Sequence, residues 1–192
     1  LDYGEKESVP FLSQSYGHVR WTAMWSRAIG TETFAQLQAN TFRSLILRQL
    51  YGGGVRSELW SSSEHSLAIG AGAMYEREVY REPAGPDGSM AVSLAELQES
   101  DVIENNLRLT NYLSTKHTVK WDTEINILGT IYYQPRADQL SDYRILFDLS
   151  IEIKLSDHLR LVESLGVMYD SAPPDDVQRG DLKSLSALRV SF

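Results

Sequence analysis

The feature that most constrains this chain is an alternation of period two sustained far beyond an ordinary strand. In residues 143–155 the odd positions are Tyr143, Ile145, Phe147, Leu149, Ile151, Ile153 and Leu155, all apolar. The even positions are Arg144, Asp148, Ser150, Glu152 and Lys154, interrupted only by Leu146. Successive side chains of a strand point to opposite faces, so this segment has one apolar and one charged face. Residues 121–133 do the same. Trp121, Thr123, Ile125, Ile127, Gly129, Ile131 and Tyr133 alternate with Asp122, Glu124, Asn126, Leu128, Thr130 and Tyr132.

A globular strand averages about 5–6 residues, whereas a tilted strand that crosses a bilayer needs about 9–11. Segments 18–28, 33–42, 48–61, 66–79, 103–114, 159–170 and 181–192 follow the same rule at similar length, and a short partial strand fits 1–7. Short turns are expected at 29–32, 62–65, 115–118 and 156–158. Longer links are expected at 8–17, 80–101, 135–141 and 171–180, with one compact exception near 43–47. Short and long connections thus alternate, as in an outer-membrane barrel with short periplasmic turns and longer outer loops. The expected fold is all-β, a transmembrane antiparallel up-and-down barrel of about ten strands, with eight to twelve as the range. Residues 1–192 form a single domain, and 93–99 is the one helical candidate. An even strand number with a periplasmic C-terminus puts both chain ends on the periplasmic side.

Periodicity alone does not say which face meets the interior. A soluble sandwich or lipid-binding barrel would bury the apolar face. Aromatic residues at the ends of the apolar faces favour lipid. Tyr75, Tyr133, Tyr143 and Tyr169 fall near the outer rim, and Trp25, Trp121 and Phe192 near the inner one. That is the pattern of two interfacial girdles. The charged faces then line a narrow lumen, through Arg56, Glu58, Arg108, Lys120, Asp122, Glu124, Arg144, Asp148, Glu152, Lys154 and Arg160. Charges in so narrow a space must pair, so the lumen is expected to be plugged. The alternating end Leu188, Val190 and Phe192 is similar to the terminal signal read by the outer-membrane assembly machinery.

Composition supports this where it is informative. No run of about 20 apolar residues exists, which excludes a helical membrane span. The net charge of -8 argues against nucleic acid as a partner. With no cysteine there is no disulfide, thiol nucleophile or zinc ribbon. The chain opens on Leu1 without a signal-peptide pattern, which reads as a processed or trimmed start.

Several stretches resemble a known family. Tyr169-Asp170-Ser171-Ala172-Pro173-Pro174, Val177, Gly180-Asp181 and the closing Ser191-Phe192 are the most specific. Tyr133-Gln134-Pro135 with Ser141-Asp142-Tyr143-Arg144 is a second, and Phe42-Arg43, Arg48 and Gly52-Gly53-Gly54-Val55 a third. They are similar to the DUF481 family, also described as salt-induced outer-membrane proteins. The resemblance covers most of 34–192, and residues 1–33 match only loosely. It implies an outer-membrane barrel of a Gram-negative bacterium. It implies no activity and carries no catalytic residue over.

Other constellations point to chemistry less well than to structure. Ser61-Ser62-Ser63-Glu64-His65 holds the residue types of a hydrolase triad, but in one tight turn. His18, Asp142, Asp170 and Asp181 gather near the outer rim, where a salt-bridged rim competes with a hydrolase. Asp170, Asp175, Asp176 and Asp181 surround one loop, but Pro173-Pro174 stiffens it and the spacing is not that of a calcium loop. The other histidines, His65, His117 and His158, are scattered among the short turns. Gly52, Gly53, Gly54, Gly70 and Gly72 lack the Lys-Ser/Thr of a phosphate loop and suit a sharp bend or a flat-lying lumen side chain.

The expectation is therefore a non-enzymatic outer-membrane barrel, structural or accessory, without a cofactor or resident metal. Its expected partners are outer-membrane lipid and lipopolysaccharide, the assembly machinery during insertion, and other outer-membrane proteins. A narrow ion or small-solute channel and a soluble lipid-binding barrel are the alternatives.

Overall fold

The computed structural model describes residues 14–40, 45–81, 101–173 and 178–190. Among the described residues nine antiparallel strands follow one another in a single curled sheet, a half-barrel in which each strand pairs with its sequence neighbours. They are β1 (Gln14–Met24), β2 (Ile29–Asn40), β3 (Leu45–Ser61), β4 (His65–Arg81), β5 (Asp101–Lys120), β6 (Glu124–Pro135), β7 (Tyr143–Lys154), β8 (Leu159–Asp170) and β9 (Gly180–Val190). No strand is shorter than 11 residues and β5 has 20. The up-and-down order follows from the hairpin spacing, because short turns leave a strand no neighbour but the next one.

Short turns at 25–28, 62–64, 121–123 and 155–158 lie at one rim, here the turn rim. The opposite, loop rim carries 136–142 and the connection from β8 to β9. β1 and β9 are the two edges of the sheet and run in the same direction, both from loop rim to turn rim. An antiparallel closure of the barrel therefore takes an odd number of further strands. The expected partial strand at 1–7, the helix at 93–99 and the terminal Phe192 lie outside the described residues.

Two turns differ from the expected places. The first falls at 25–28 rather than 29–32, because Trp25 and Ser26 donate from their backbone to the carbonyl of Ile29, and Ser26 Oγ accepts from Ala28 and Ile29. The third falls at 121–123 rather than 115–118. Thr115 to Lys120 continue β5, paired across β6 from Gly129 to Glu124. Trp121 and Asp122 therefore sit in a turn rather than on a strand.

The apolar face is outside. Val19, Trp21, Leu37, Tyr51, Val55, Leu107, Leu113, Ile131 and Leu188 are exposed. The buried set is largely polar: Glu32, Arg48, Glu76, Glu78, Asn106, Arg108, Arg144 and Asp170. This is the reverse of the arrangement a soluble lipid-binding barrel would have. Glycine lets the sheet curl. Gly54 and Gly72 face each other on β3 and β4, where an added β-carbon would lie 2.4 and 2.3 Å from the backbone opposite.

Candidate functional site: an ion-paired interior

Alternation sends the even-numbered residues of β1–β8 into the concave side, where three groups of charge form. The most buried lies toward the loop rim. Glu76 has no solvent exposure. Its Oε1 accepts from Nη2 of Arg48 at 2.5 Å and from Nη1 of Arg144, and its Oε2 from Nε of Arg108 at 2.6 Å. Glu78 binds Arg144 at 3.0 Å and Arg48 at 3.2 Å. Arg144 also meets Asp170, directly opposite on β8, at 2.7 Å. Loop 136–142 folds over this cluster through the backbone bond from Ala137 to Leu107, 2.8 Å. It thereby delivers Asp142 to Arg108 at 3.1 Å and to Arg136 at 3.2 Å.

Four arginines here face Glu76, Glu78, Asp142 and Asp170, so the charges of these eight residues balance. Among the described residues, no buried side-chain nitrogen or oxygen lacks a partner. That condition makes buried charge tolerable. At the exposed surface of the same loop, Arg136 donates to Asp138 at 3.0 and 2.8 Å and holds that carboxyl below its ordinary range.

The second group spans the middle. Tyr112 donates to Glu32 at 2.6 Å and accepts from Arg56 at 3.1 Å. Arg56 also holds Glu58 at 2.6 Å. Arg20 of β1 reaches across to the Tyr132 hydroxyl of β6 at 3.3 Å, and its guanidinium lies 5.9 and 5.8 Å from the rings of Phe34 and Tyr112. Tyr112 lies flat over Gly70, where an added β-carbon would stand 2.1 Å from the ring. A cavity of about 490 Å³ adjoins this layer, reaching Tyr16 and His18 on β1, Asp148 on β7, and Asp181 and Lys183 on β9. The third group lies toward the turn rim, where Arg160 binds Glu152 at 2.9 Å and Glu124 at 3.3 Å, and Arg189 also binds Glu152.

Of the expected lumen charges, Arg56, Glu58, Arg108, Glu124, Arg144, Glu152 and Arg160 stand in these groups, and Asp148 lines the cavity. Three do not join them. Lys120 is exposed and pairs with Glu64 at 3.2 Å. Lys154 pairs with Asp157 of the adjacent turn at 2.7 Å. Asp122 lies in the 121–123 turn. All three sit at strand ends, where alternation no longer aims a side chain across the lumen. Sequence reasoning passed over Arg20, Glu32, Arg48, Glu76, Glu78 and Arg136. In Tyr75-Glu76-Arg77-Glu78 charge falls on both faces, so alternation marked neither Glu.

The expected girdle residues also have places. Tyr133, Tyr143 and Tyr169 form a row toward the loop rim, with ring centroids 5.6 and 6.1 Å apart. Tyr75 is on the same outward face and donates to Asn105 at 2.7 Å. Trp25 and Trp121 are exposed at the turn rim, where Trp60 joins them. His18 bonds Gln36 at 3.3 Å, while Asp142 and Asp170 are engaged by Arg108 and Arg144. Asp175 and Asp176 of the expected acidic loop lie outside the described residues.

A family model described as "Protein of unknown function, DUF481" matches residues 2–192. No curated protein matches the chain.

Proposed function

We propose, for a chain that belongs to the DUF481 family, a non-enzymatic role as an integral outer-membrane barrel that stabilises the envelope or serves as an accessory subunit there. One observation carries this reading: the strands turn their apolar face outward and fill their concave side with paired charge. In water that arrangement is unfavourable, because apolar area is left solvated at about 25 cal/mol per Å². In a bilayer it is the stable one. The outward aromatics near both rims fit the two interfaces. In this reading the short connections belong to the periplasmic side, and the end of β9 with them.

The interior favours a structural role over transport. An arginine bound to three carboxylates, as Arg144 is to Glu76, Glu78 and Asp170, is fixed rather than poised for a passing solute. The 490 Å³ cavity is the observation that keeps a narrow ion or small-solute channel as the second reading. Lipopolysaccharide and lipid contact the outer wall, the assembly machinery handles insertion, and neighbouring outer-membrane proteins are the candidates for a stable complex.

The test is fractionation followed by native mass. The chain should sediment with outer membranes, resist alkaline extraction, and migrate differently in SDS gels before and after heating. Extracted in mild detergent, a particle heavier than one barrel plus micelle, carrying other chains, supports the accessory-subunit role. A lone monomer favours the channel. Recovery in the aqueous fraction overturns both.

A further inference from the structure

We propose that His65 and His117 form a two-imidazole site for a divalent late-transition-metal ion at the turn rim of the sheet. The residues are 52 apart in sequence, and their Nδ1 atoms stand 3.0 Å from each other. They are directly opposite in the β4–β5 register, on the outward face, away from the interior charge. Two imidazole nitrogens each about 2.0–2.1 Å from one ion are about 2.9 Å apart at a right angle and about 3.4 Å apart at a tetrahedral angle. The observed separation lies between these limits, so an ion can enter with little rearrangement of the backbone.

The surroundings prepare the pair for it. Thr115 Oγ1 lies 2.7 Å from Nε2 of His117 and donates its own proton to the Ser66 carbonyl at 3.4 Å. In the tautomer whose Nε2 donates to Thr115, the Nδ1 lone pair of His117 is aimed at His65. An oxygen partner on the far nitrogen is the usual second contact of a metal-binding imidazole, since it fixes tautomer and ring orientation. His65 is held by its turn: its N–H donates to Ser62 Oγ at 3.0 Å, and its carbonyl accepts from the Ser62 N–H at 2.7 Å. The ring of Trp60 lies 5.8 Å from that of His65. When the ion binds, the proton shared between the two Nδ1 atoms leaves, and His65 takes one at Nε2 from water.

Among the described residues, no group of three or more His, Asp or Glu gathers to hold an ion. The remaining positions therefore go to water or to a side chain of another molecule. Two neutral nitrogen donors select late transition metals, with copper(II) above zinc, and offer little to calcium or magnesium.

The experiment titrates the intact, tag-free protein in detergent with Zn²⁺ and Cu²⁺. The absence of cysteine removes thiol binding as a confusion. One ion per chain is expected, Cu²⁺ more tightly than Zn²⁺, with Cu²⁺ quenching tryptophan fluorescence and Mg²⁺ without effect. His65→Gln and His117→Gln should each weaken binding at least tenfold, and His158→Gln should not. Should the glutamine variants fail to fold, the parent alone suffices: Zn²⁺ should protect His65 and His117 from carbethoxylation, read by mass spectrometry. No saturable binding, binding that survives both substitutions, or carbethoxylation indifferent to Zn²⁺ overturns the proposal. The two rings are then a proton-sharing contact that ties β4 to β5.

Discussion

Arg108 on β5 donates from Nε to Oε2 of Glu76 on β4 at 2.6 Å, with the carboxylate wholly enclosed and the guanidinium 2 % exposed. Because Glu76 also holds Arg48 and Arg144, removing it leaves three cations facing one another with Glu78, Asp142 and Asp170 as their remaining acids. Glu76→Ala should cost about 3–5 kcal/mol of stability, the range for breaking a buried pair from one side. Replacing Glu76 and Arg108 together by methionine should cost less than the sum of the two single changes. Urea unfolding in detergent micelles, followed by the shift in gel mobility on heating, measures both. Additive costs would mean that the pair is not coupled.

Gly70 tests the interior packing from another side. The Tyr112 ring occupies the space a β-carbon would need, at 2.1 Å, and that ring is held at its hydroxyl by Glu32 and Arg56. Gly70→Ala should destabilise by about 1–3 kcal/mol, the usual cost of overpacking. Gly129→Ala, whose β-carbon would meet only Thr115 Cγ2 at an ordinary 3.4 Å, should be near neutral. Tyr112→Leu in the Gly70→Ala background should recover part of the loss if the ring contact is its cause. Thermal midpoints of the parent and the three variants decide it.

The strands and two of the four turns were legible in the sequence, because alternation is a property of one segment read alone. The turn at 121–123 was misplaced for a physical reason: Trp121 and Asp122 continue the alternation of β6 by one pair, so periodicity ran past the strand end. What a single segment does not carry is register. Glu76 finds Arg144 across 68 residues, and His65 finds His117 across 52. Both meetings follow from the pairing offsets of strands that the residue pattern leaves free to slide. The expected acidic rim of Asp142 and Asp170 was visible as composition, but Asp142 reaches Arg108 only because loop 136–142 folds back onto β5, and Asp170 meets Arg144 only through the β7–β8 register.

Ile131 stands on the outward face of β6, 44 % exposed, between Leu113 on β5 and Phe147 on β7. In a bilayer Ile131→Arg should cost about 2–4 kcal/mol, because the guanidinium enters hydrocarbon at the midplane. In water the same change replaces a solvated apolar group with a charged one and should be neutral or helpful. Folding efficiency into lipid vesicles, compared with that of Thr130→Arg on the opposite face, separates the environments. Equal folding of Ile131→Arg and the parent would remove the bilayer from the reading.

The two readings of the interior differ in what a planar bilayer records. If the paired groups fill the lumen, the parent protein should show no resolved conductance steps, and Glu152→Ala should change nothing, since the Arg48–Glu76–Arg144 cluster still blocks the loop rim. Glu76→Ala should then introduce leak, because it both removes volume and breaks the contacts that hold three arginines in place. A channel behaves in the opposite order. The parent should conduct, and Glu152→Ala should shift its ion selectivity toward anions, since one carboxylate leaves the turn-rim group while Arg160 and Arg189 remain. The parent trace therefore separates structural barrel from pore before any variant is made, and the variants locate the constriction at the loop rim or the turn rim.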